Sequence, residues 1–282
     1  MSDCLIAYFG HHKCGTVWVT NVFNAVCDAV GLKTKHAHDP GMFGYDIGAS
    51  RQRESFDALT YTNANYHYIE KQNITGFHVV RDPRDIIVSG YFSHLHSHPD
   101  NIWPELRDFR PLLQNVDKSA GLMMEMEFSA DWMADLRSWP DTAPDVLLVK
   151  FEDLIQDQHV VYRKIFSHLG LLGSSLPATR LDEIIEQFSY RRLSKGRKPG
   201  QEDVSNHFRK GVSGDWLNHF SPEHVLIFKQ HYNDLLIKYG YESDDLWEGK
   251  ATVNPSLTDV QRRQLLRSKW LTRLRKWKQK WV

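Results

Sequence analysis

The stretch from Leu5 to Trp18 constrains this chain more than any other. It reads as strand, glycine-bounded loop, helix. A short apolar run ends at Gly10, four residues follow, and then come Gly15 and Thr16. Apolar residues recur at Val17, Val19, Val22, Phe23 and Val26. That spacing predicts a helix from Thr16 to Val30, closed by Gly31. A turn of this kind aims backbone N–H groups and a helix N-terminus at one spot, where an anionic group binds. The pattern nearly matches G-x-x-x-x-G-K-[ST]. Thr16, however, stands where the lysine belongs, and the lysine lies inside the loop at Lys13. The loop can cradle a phosphate or sulfate, but not in the Walker manner.

The chain has 282 residues, enough for one large α/β domain or two small ones, and 35 basic residues balance 35 acidic ones. A neutral chain offers no global electrostatic case for nucleic acid. Cys4, Cys14 and Cys27 lack metal-ligand spacing and point to a reducing compartment. No signal peptide is visible, and no apolar run reaches the ~20 residues of a membrane span. The expectation is a cytoplasmic protein without a metal site.

Further along, Lys33–His38 reads as a strand ending at Asp39-Pro40-Gly41, with His36 and His38 on one face of its tip. Gln52–Leu59 reads as helical and Tyr66–Lys71 as a helical turn. Phe77–Val80 reads as a buried strand that runs into Arg81-Asp82-Pro83-Arg84-Asp85. Asp82 and Pro83 there start a helix carrying Ser89. His94, His96 and His98 read as a substrate-facing loop rather than a metal site. Residues 103–140 read as helical, with Met123, Met124 and Met126 as core or acceptor lining. Asp145–Phe151 reads as a strong buried strand, followed by one helix to Leu169 and another over Leu181–Phe188. Ser194–Val204 reads as a mobile loop leading to Arg209-Lys210-Gly211, a second cationic stretch suited to anions. Ser221 and Pro222 start a helix that runs to Tyr239.

From Thr258 onward the chain changes character. Leu266, Trp270, Leu274, Trp277 and Trp281 recur at helical spacing among nine Lys and Arg, with no acid after Asp259. This predicts a basic amphipathic helix. It could lie on an anionic membrane surface through residues 260–282, pack on the body, or pack on a second subunit in a homodimer.

Three stretches thus offer anion chemistry: Lys13–Thr16, Arg81 with Ser89, and Arg209–Gly211. In order and spacing they resemble the sulfotransferases that use 3′-phosphoadenosine 5′-phosphosulfate (PAPS). The resemblance covers most of residues 4–240. His12-Lys13-Cys14-Gly15-Thr16-Val17-Trp18 is similar to the family's P-K-S-G-T-T-W loop, and Arg81 through Ser89 to its R-[ND]-P-[KR]-D-x-x-x-S motif. Arg209-Lys210-Gly211-Val212-Ser213-Gly214-Asp215-Trp216 matches its R-K-G-x-x-G-D-W segment in full. The strand Leu147–Phe151 with Glu152-Asp153 resembles the family's Y-E-D segment, with Phe151 in place of the tyrosine.

The resemblance implies an α/β domain, placed over residues 1–250, with a central parallel sheet flanked by helices; the basic helix read from the tail's periodicity occupies 251–282. It implies transfer of a sulfuryl group from PAPS to a hydroxyl or amine, with no metal required. Lys13, Cys14, Gly15, Thr16, Val17 and Trp18 would hold the 5′-phosphosulfate. Arg81 and Ser89 would hold the 3′-phosphate, Phe208, Arg209, Lys210 and Gly211 would also bind the cofactor, and Tyr190 would lie near adenine. Lys13 would also stabilise the leaving phosphate. The family's basic histidine, in a K-T-H-L-P segment, has no counterpart in Leu59–Ala64. Other branches of the family place a carboxylate base after the first helix, a neighbourhood that here holds His36, His38 and Asp39; His38 is the expected base and His36 the second, with His67 and His94 also in view. The acceptor would be a small molecule, lipid or glycan. The competing readings are a phosphate-loop nucleotide kinase or NTPase, and a non-catalytic nucleotide-binding protein attached to a membrane.

Overall fold

Strand β1 (Leu5–Gly10) lies in the middle of a five-stranded sheet of order β2-β3-β1-β4-β5. The others are β2 (Thr34–Ala37), β3 (Ala58–Thr62), β4 (Ile74–Val80) and β5 (Val146–Lys150), and every pairing is parallel. The chain passes from β1 to β2 and β3 on one side, then to β4 and β5 on the other. The C-terminal end of β1 is therefore the switch point where ligands bind in such sheets. The structure, a computed structural model, describes residues 4–101 and 103–247. The helix expected over 251–282 lies outside the described residues.

These residues gather into two compact units, 4–81 with 134–199 and 82–133 with 200–247. The first holds the whole sheet. Side chains alternate along each strand, as the period of two demands. Tyr8, Phe77, Val79 and Ala58 join one core with Val19, Val22, Phe23, Val26 and Cys27 of α1 (Thr16–Ala29). Leu5, Ala7, Phe9, Leu59 and Tyr61 join a second core on the opposite face with Phe43, Ile47 and Trp139. Burial of each large apolar side chain is worth about 1.5–3 kcal/mol, so the two faces together fix the register. Helix α1 ends as expected: Gly31 is left-handed and the Leu32 N–H returns to the Cys27 carbonyl at 2.8 Å.

Several expectations are corrected. The helix expected over Gln52–Leu59 is instead α2 (Ile47–Glu54) followed by β3. Ala58–Thr62 is too short and too rich in threonine to show an apolar run, yet both its faces are covered. The strand expected to be buried at 145–151 is β5, a sheet edge where Leu148 is 43% exposed. The single helix to Leu169 is two, α7 (Phe151–Gln156) and α8 (Gln158–His168), divided at Asp157, whose carboxylate caps α8. Helix α9 (Ala178–Gln187) begins three residues before the expected Leu181.

In the second unit, α3 (Pro83–Phe92) starts at an Asp82 cap that accepts the Arg84 N–H, with Pro83 in its first turn. A π-helical turn (Ser93–Ser97) follows. Helices α4 (Pro104–Gln114) and α5 (Lys118–Phe128) fill most of the stretch expected to be helical, and α6 (Ala130–Ser138) follows, its residues from 134 on belonging to the first unit. Short helix α10 (Tyr190–Leu193) belongs to the first unit, and in the second, helix α11 (Pro222–Lys238) has a capping box in which His224 takes the usual acid's place.

Gly76 sits in β4 close against β1. A Cβ there would lie 2.8 Å from the Ala7 carbonyl oxygen and 3.0 Å from the Phe9 ring. Gly76→Ala should cost roughly 1–3 kcal/mol in urea unfolding, the range for overpacking against a group that cannot give way. Unchanged stability would mean that β1 and β4 can part at no cost.

Candidate active site

The loop leaving β1 opens its backbone N–H groups. Lys13 and Gly15 both take left-handed angles, with φ of 64° and 75°. The Cys14 N–H donates to the His11 carbonyl at 3.1 Å, and the Thr16 hydroxyl donates to the same oxygen at 2.7 Å. Gly15 is required here, because a Cβ would meet the Phe151 ring at 2.6 Å in a conformation L side chains rarely adopt. Helix α1 then begins with no side-chain cap and no acid in its first turn. Its first N–H groups and positive dipole end suit an anion. Because the Thr16 hydroxyl is turned to His11, it is the backbone N–H that Thr16 can offer to a ligand.

Arg81, at the end of β4, reaches the same loop. Its guanidinium donates to the Lys13 carbonyl at 3.0 Å and lies 4.7 Å over the Phe151 ring. Cys14 is fully buried, and burial pushes its thiol well above the usual range against the pull of Arg81 and Lys13. It therefore stays a neutral thiol. Val17 is 45% exposed in the first turn of α1. Trp18 packs edge-on against Phe151 and Tyr162. Tyr190 accepts a hydrogen bond from Arg197 at 3.3 Å.

Behind the loop lies a buried pair that the sequence did not signal. His11 Nε2 and His78 Nε2 are 2.6 Å apart, and His78 stacks on Trp139 at 3.7 Å. One ring must donate and the other accept, which two neutral imidazoles can do. Burial pushes His11 down to about 3, in keeping with a neutral ring.

At the other end of the sheet's C-terminal edge, His38 Nδ1 lies 2.9 Å from the Thr62 hydroxyl. That hydroxyl is in turn 3.4 Å from the Ala37 carbonyl, to which it donates. His36, within β2, meets Asn24 at 3.4 Å, and burial with the neighbouring His38 lowers its affinity for a proton. His36 and His38 are both exposed, the one within β2 and the other just beyond its end. His67 is an exposed residue of a 3-10 turn (Tyr66–Tyr68). His94 corrects the expected substrate-facing loop: it is fully buried in the π-helical turn and bonded to Glu125 at 2.9 Å. Among the described residues no group of three or more His, Cys, Asp or Glu could hold a metal ion. The methionines of α5 and Phe43 are core residues.

The second unit carries the other expected residues. Ser89 is half-buried on α3. Arg209 lies 4.4 Å over the Phe92 ring and bonds to Asp215 and Glu202. Lys210 meets the other Asp215 oxygen at 2.5 Å. Burial alone would raise the Asp215 carboxyl. Hydrogen bonds from His219, Lys210, Arg209 and Asn218 outweigh it and hold the group far below the usual carboxylate range. The Phe208 N–H is taken by Asn206 at 2.9 Å. The loop expected to be mobile is tied by two backbone bonds, Gly200 to Lys210 at 2.8 Å and Asp203 to Arg209 at 2.9 Å.

Sequence reasoning passed over Arg84, Asp85 and Asp215, although all three stand within the quoted motifs. Arg84 forks onto Asp82 (2.7 Å), reaches Glu242 (2.7 Å) and lies 4.0 Å from the Trp216 ring and 4.7 Å from the Trp247 ring. Burial opposes its charge, yet the two carboxylates keep it firmly protonated.

The family model for the sulfotransferase domain matches residues 2–240. Sulfotransferase 2A6 of Mus musculus is 23% identical over 177 residues, 57% of this chain and 56% of that protein. The 3-alpha-hydroxysteroid sulfotransferase of Cavia porcellus is 24% identical over 177 residues, 57% of this chain and 55% of that protein. The chain thus spans about half the length of the curated relatives it matches. Among solved structures, mouse sulfotransferase SULT7A1 complexed with PAP aligns over 90% of this chain and 91% of that one, with a TM-score of 0.56 and 18% identity. At that identity the likeness is one of fold.

The His11 ring binds a proton less readily when folded than when unfolded, so its contribution to stability is complete above about pH 6.5 and is lost as pH falls toward 3. Urea unfolding near pH 7.5 and near pH 4.5 should show wild type losing more stability on acidification than His11→Gln. Equal losses would show that the ring is not held neutral by the fold.

Proposed function

We propose that this chain, which belongs to the sulfotransferase domain family, transfers a sulfuryl group from PAPS to a hydroxyl of a small-molecule acceptor. The observation that carries the reading is the family match over residues 2–240. The loop geometry supports it: a left-handed Lys13 and Gly15 lead into an uncapped helix, with Arg81 bonded to the same loop. The neighbour of like fold was solved with PAP, and a relative is named for hydroxysteroids. PAPS, when bound, supplies the activated sulfuryl group.

In this reading the loop N–H groups and Lys13 hold the 5′-phosphosulfate end, and Lys13 offsets the charge that grows on the leaving phosphate. Arg81 and Ser89, with Arg209, Lys210 and Gly211, take the 3′-phosphate. Transfer in line between oxygens asks little covalent work of a protein, so positioning and electrostatics dominate. His38 removes the acceptor's proton. Its support is the Thr62 bond. With the Thr62 proton directed to Ala37, His38 Nδ1–H donates and Nε2 keeps the lone pair a base needs.

Calorimetric titration with PAP, ATP and 5′-AMP tests the cofactor. Wild type should bind PAP and strongly prefer it. Arg81→Ala should weaken PAP by roughly 10–100-fold, the range for a hydrogen bond to a charged group. Equal binding of ATP would favour a phosphate-loop NTPase. For the base, His38→Asn should lower kcat by about 10²–10⁴-fold on a responsive hydroxysteroid, with PAP binding unchanged. Full activity in that variant would move the search to His36.

A further inference from the structure

On α3, Asp85, Ser89 and Phe92 follow one another at spacings of four and three, so they stand on one face of the helix. Each end of this stripe grips the segment 209–216. Both Asp85 oxygens accept backbone N–H groups, from Gly214 at 2.7 Å and from Trp216 at 2.9 Å. Asp85 is 1% exposed, so these bonds are made away from water, where a donor or acceptor left unpaired is costly. At the other end the Phe92 ring lies under the Arg209 guanidinium at 4.4 Å. Arg84, the residue before Asp85, adds a stacking contact with Trp216 at 4.0 Å. Between these grips the backbone turns at Gly211 and Gly214, both left-handed. Ser89 lies midway along the stripe.

We propose that Asp85 is a positioning residue for recognition of the 3′-phosphate. It fixes the register of the Arg209-Lys210-Gly211 segment against Ser89, so that the donors meet the phosphate already arranged. The inference rests on the PAPS reading above. Asp85 touches no ligand in it. Its carboxylate acts through the backbone at Gly214 and Trp216, while Asp215 spaces the two cations by taking one on each oxygen. Without the two bonds the segment must be ordered by the ligand itself, which lowers apparent affinity. That loss falls on the 3′-phosphate alone, because the 5′ loop is held by other residues, His11, Thr16 and Arg81.

The test is the selectivity ratio, the affinity for PAP divided by that for 5′-AMP, measured by calorimetry on the whole chain. Asp85→Asn should lower PAP affinity roughly 10–100-fold, the scale of a buried backbone donor left unpaired, and leave 5′-AMP affinity unchanged. A merely structural role would weaken both ligands together or change only the melting temperature. Phe92→Leu covers the case in which Asp85→Asn does not fold. Phe92 is half-buried, and its loss removes the ring beneath Arg209, so the ratio should fall in the same direction. Wild-type selectivity retained in whichever of the two variants folds overturns the positioning role and leaves the PAPS reading standing. No selectivity in wild type overturns both.

Discussion

Parallel pairing on both sides of β1 is the constraint on which the first unit depends. Parallel strands send all their C-terminal ends to one edge, so the loop at His11, the histidine beyond β2 and the arginine after β4 emerge there together. A strand with neighbours on both sides cannot slip by one residue without turning Tyr8 and Phe9 to the wrong cores. The position of Lys13 is thus inherited from the packing of β1. The close approach at Gly76, where no Cβ fits, belongs to the same constraint.

The second unit solves a different problem, that of holding two cations next to each other. Arg209 and Lys210 repel in isolation, and a buried carboxylate compensates both. Asp215 is stabilised as an anion by four donors despite its burial. Arg84 mirrors this arrangement with reversed sign, a buried cation held by Asp82 and Glu242 and faced by two tryptophans. Removing one member of such a set leaves an uncompensated buried charge, which costs far more than the pair contributes. The charged letters of the R-D-P-R-D and G-D-W motifs therefore divide by role. Arg84 and Asp82 pair with each other, Asp85 holds backbone N–H groups, and Asp215 takes Arg209 and Lys210.

The contrast between His11 and His38 shows how environment divides one residue type. His11 faces another imidazole and a tryptophan-stacked core, where only a neutral ring fits. His38 is exposed at a strand end with one nitrogen bonded to a hydroxyl. His94 is a third case, tied to a buried glutamate. Their shared letter in the sequence carries none of this difference.

The sequence by itself determined what is local. The strand–loop–helix start, the glycine after α1 and the Asp82 and Pro83 helix start are all set by neighbours within a few residues, and each was legible. What depends on distant partners was not. Strand β3 has no apolar run of its own and becomes a strand because β1 and β2 pair with it. His94 has the sequence surroundings of a loop residue, and only the bond to Glu125, thirty-one residues away, makes it a core residue. Asp85 became a holder of backbone only when Gly214 and Trp216, about 130 residues on, were brought to it by tertiary packing. Burial and long-range hydrogen bonding are properties of the folded chain, and they alone decided which of the charged and titratable residues face inward.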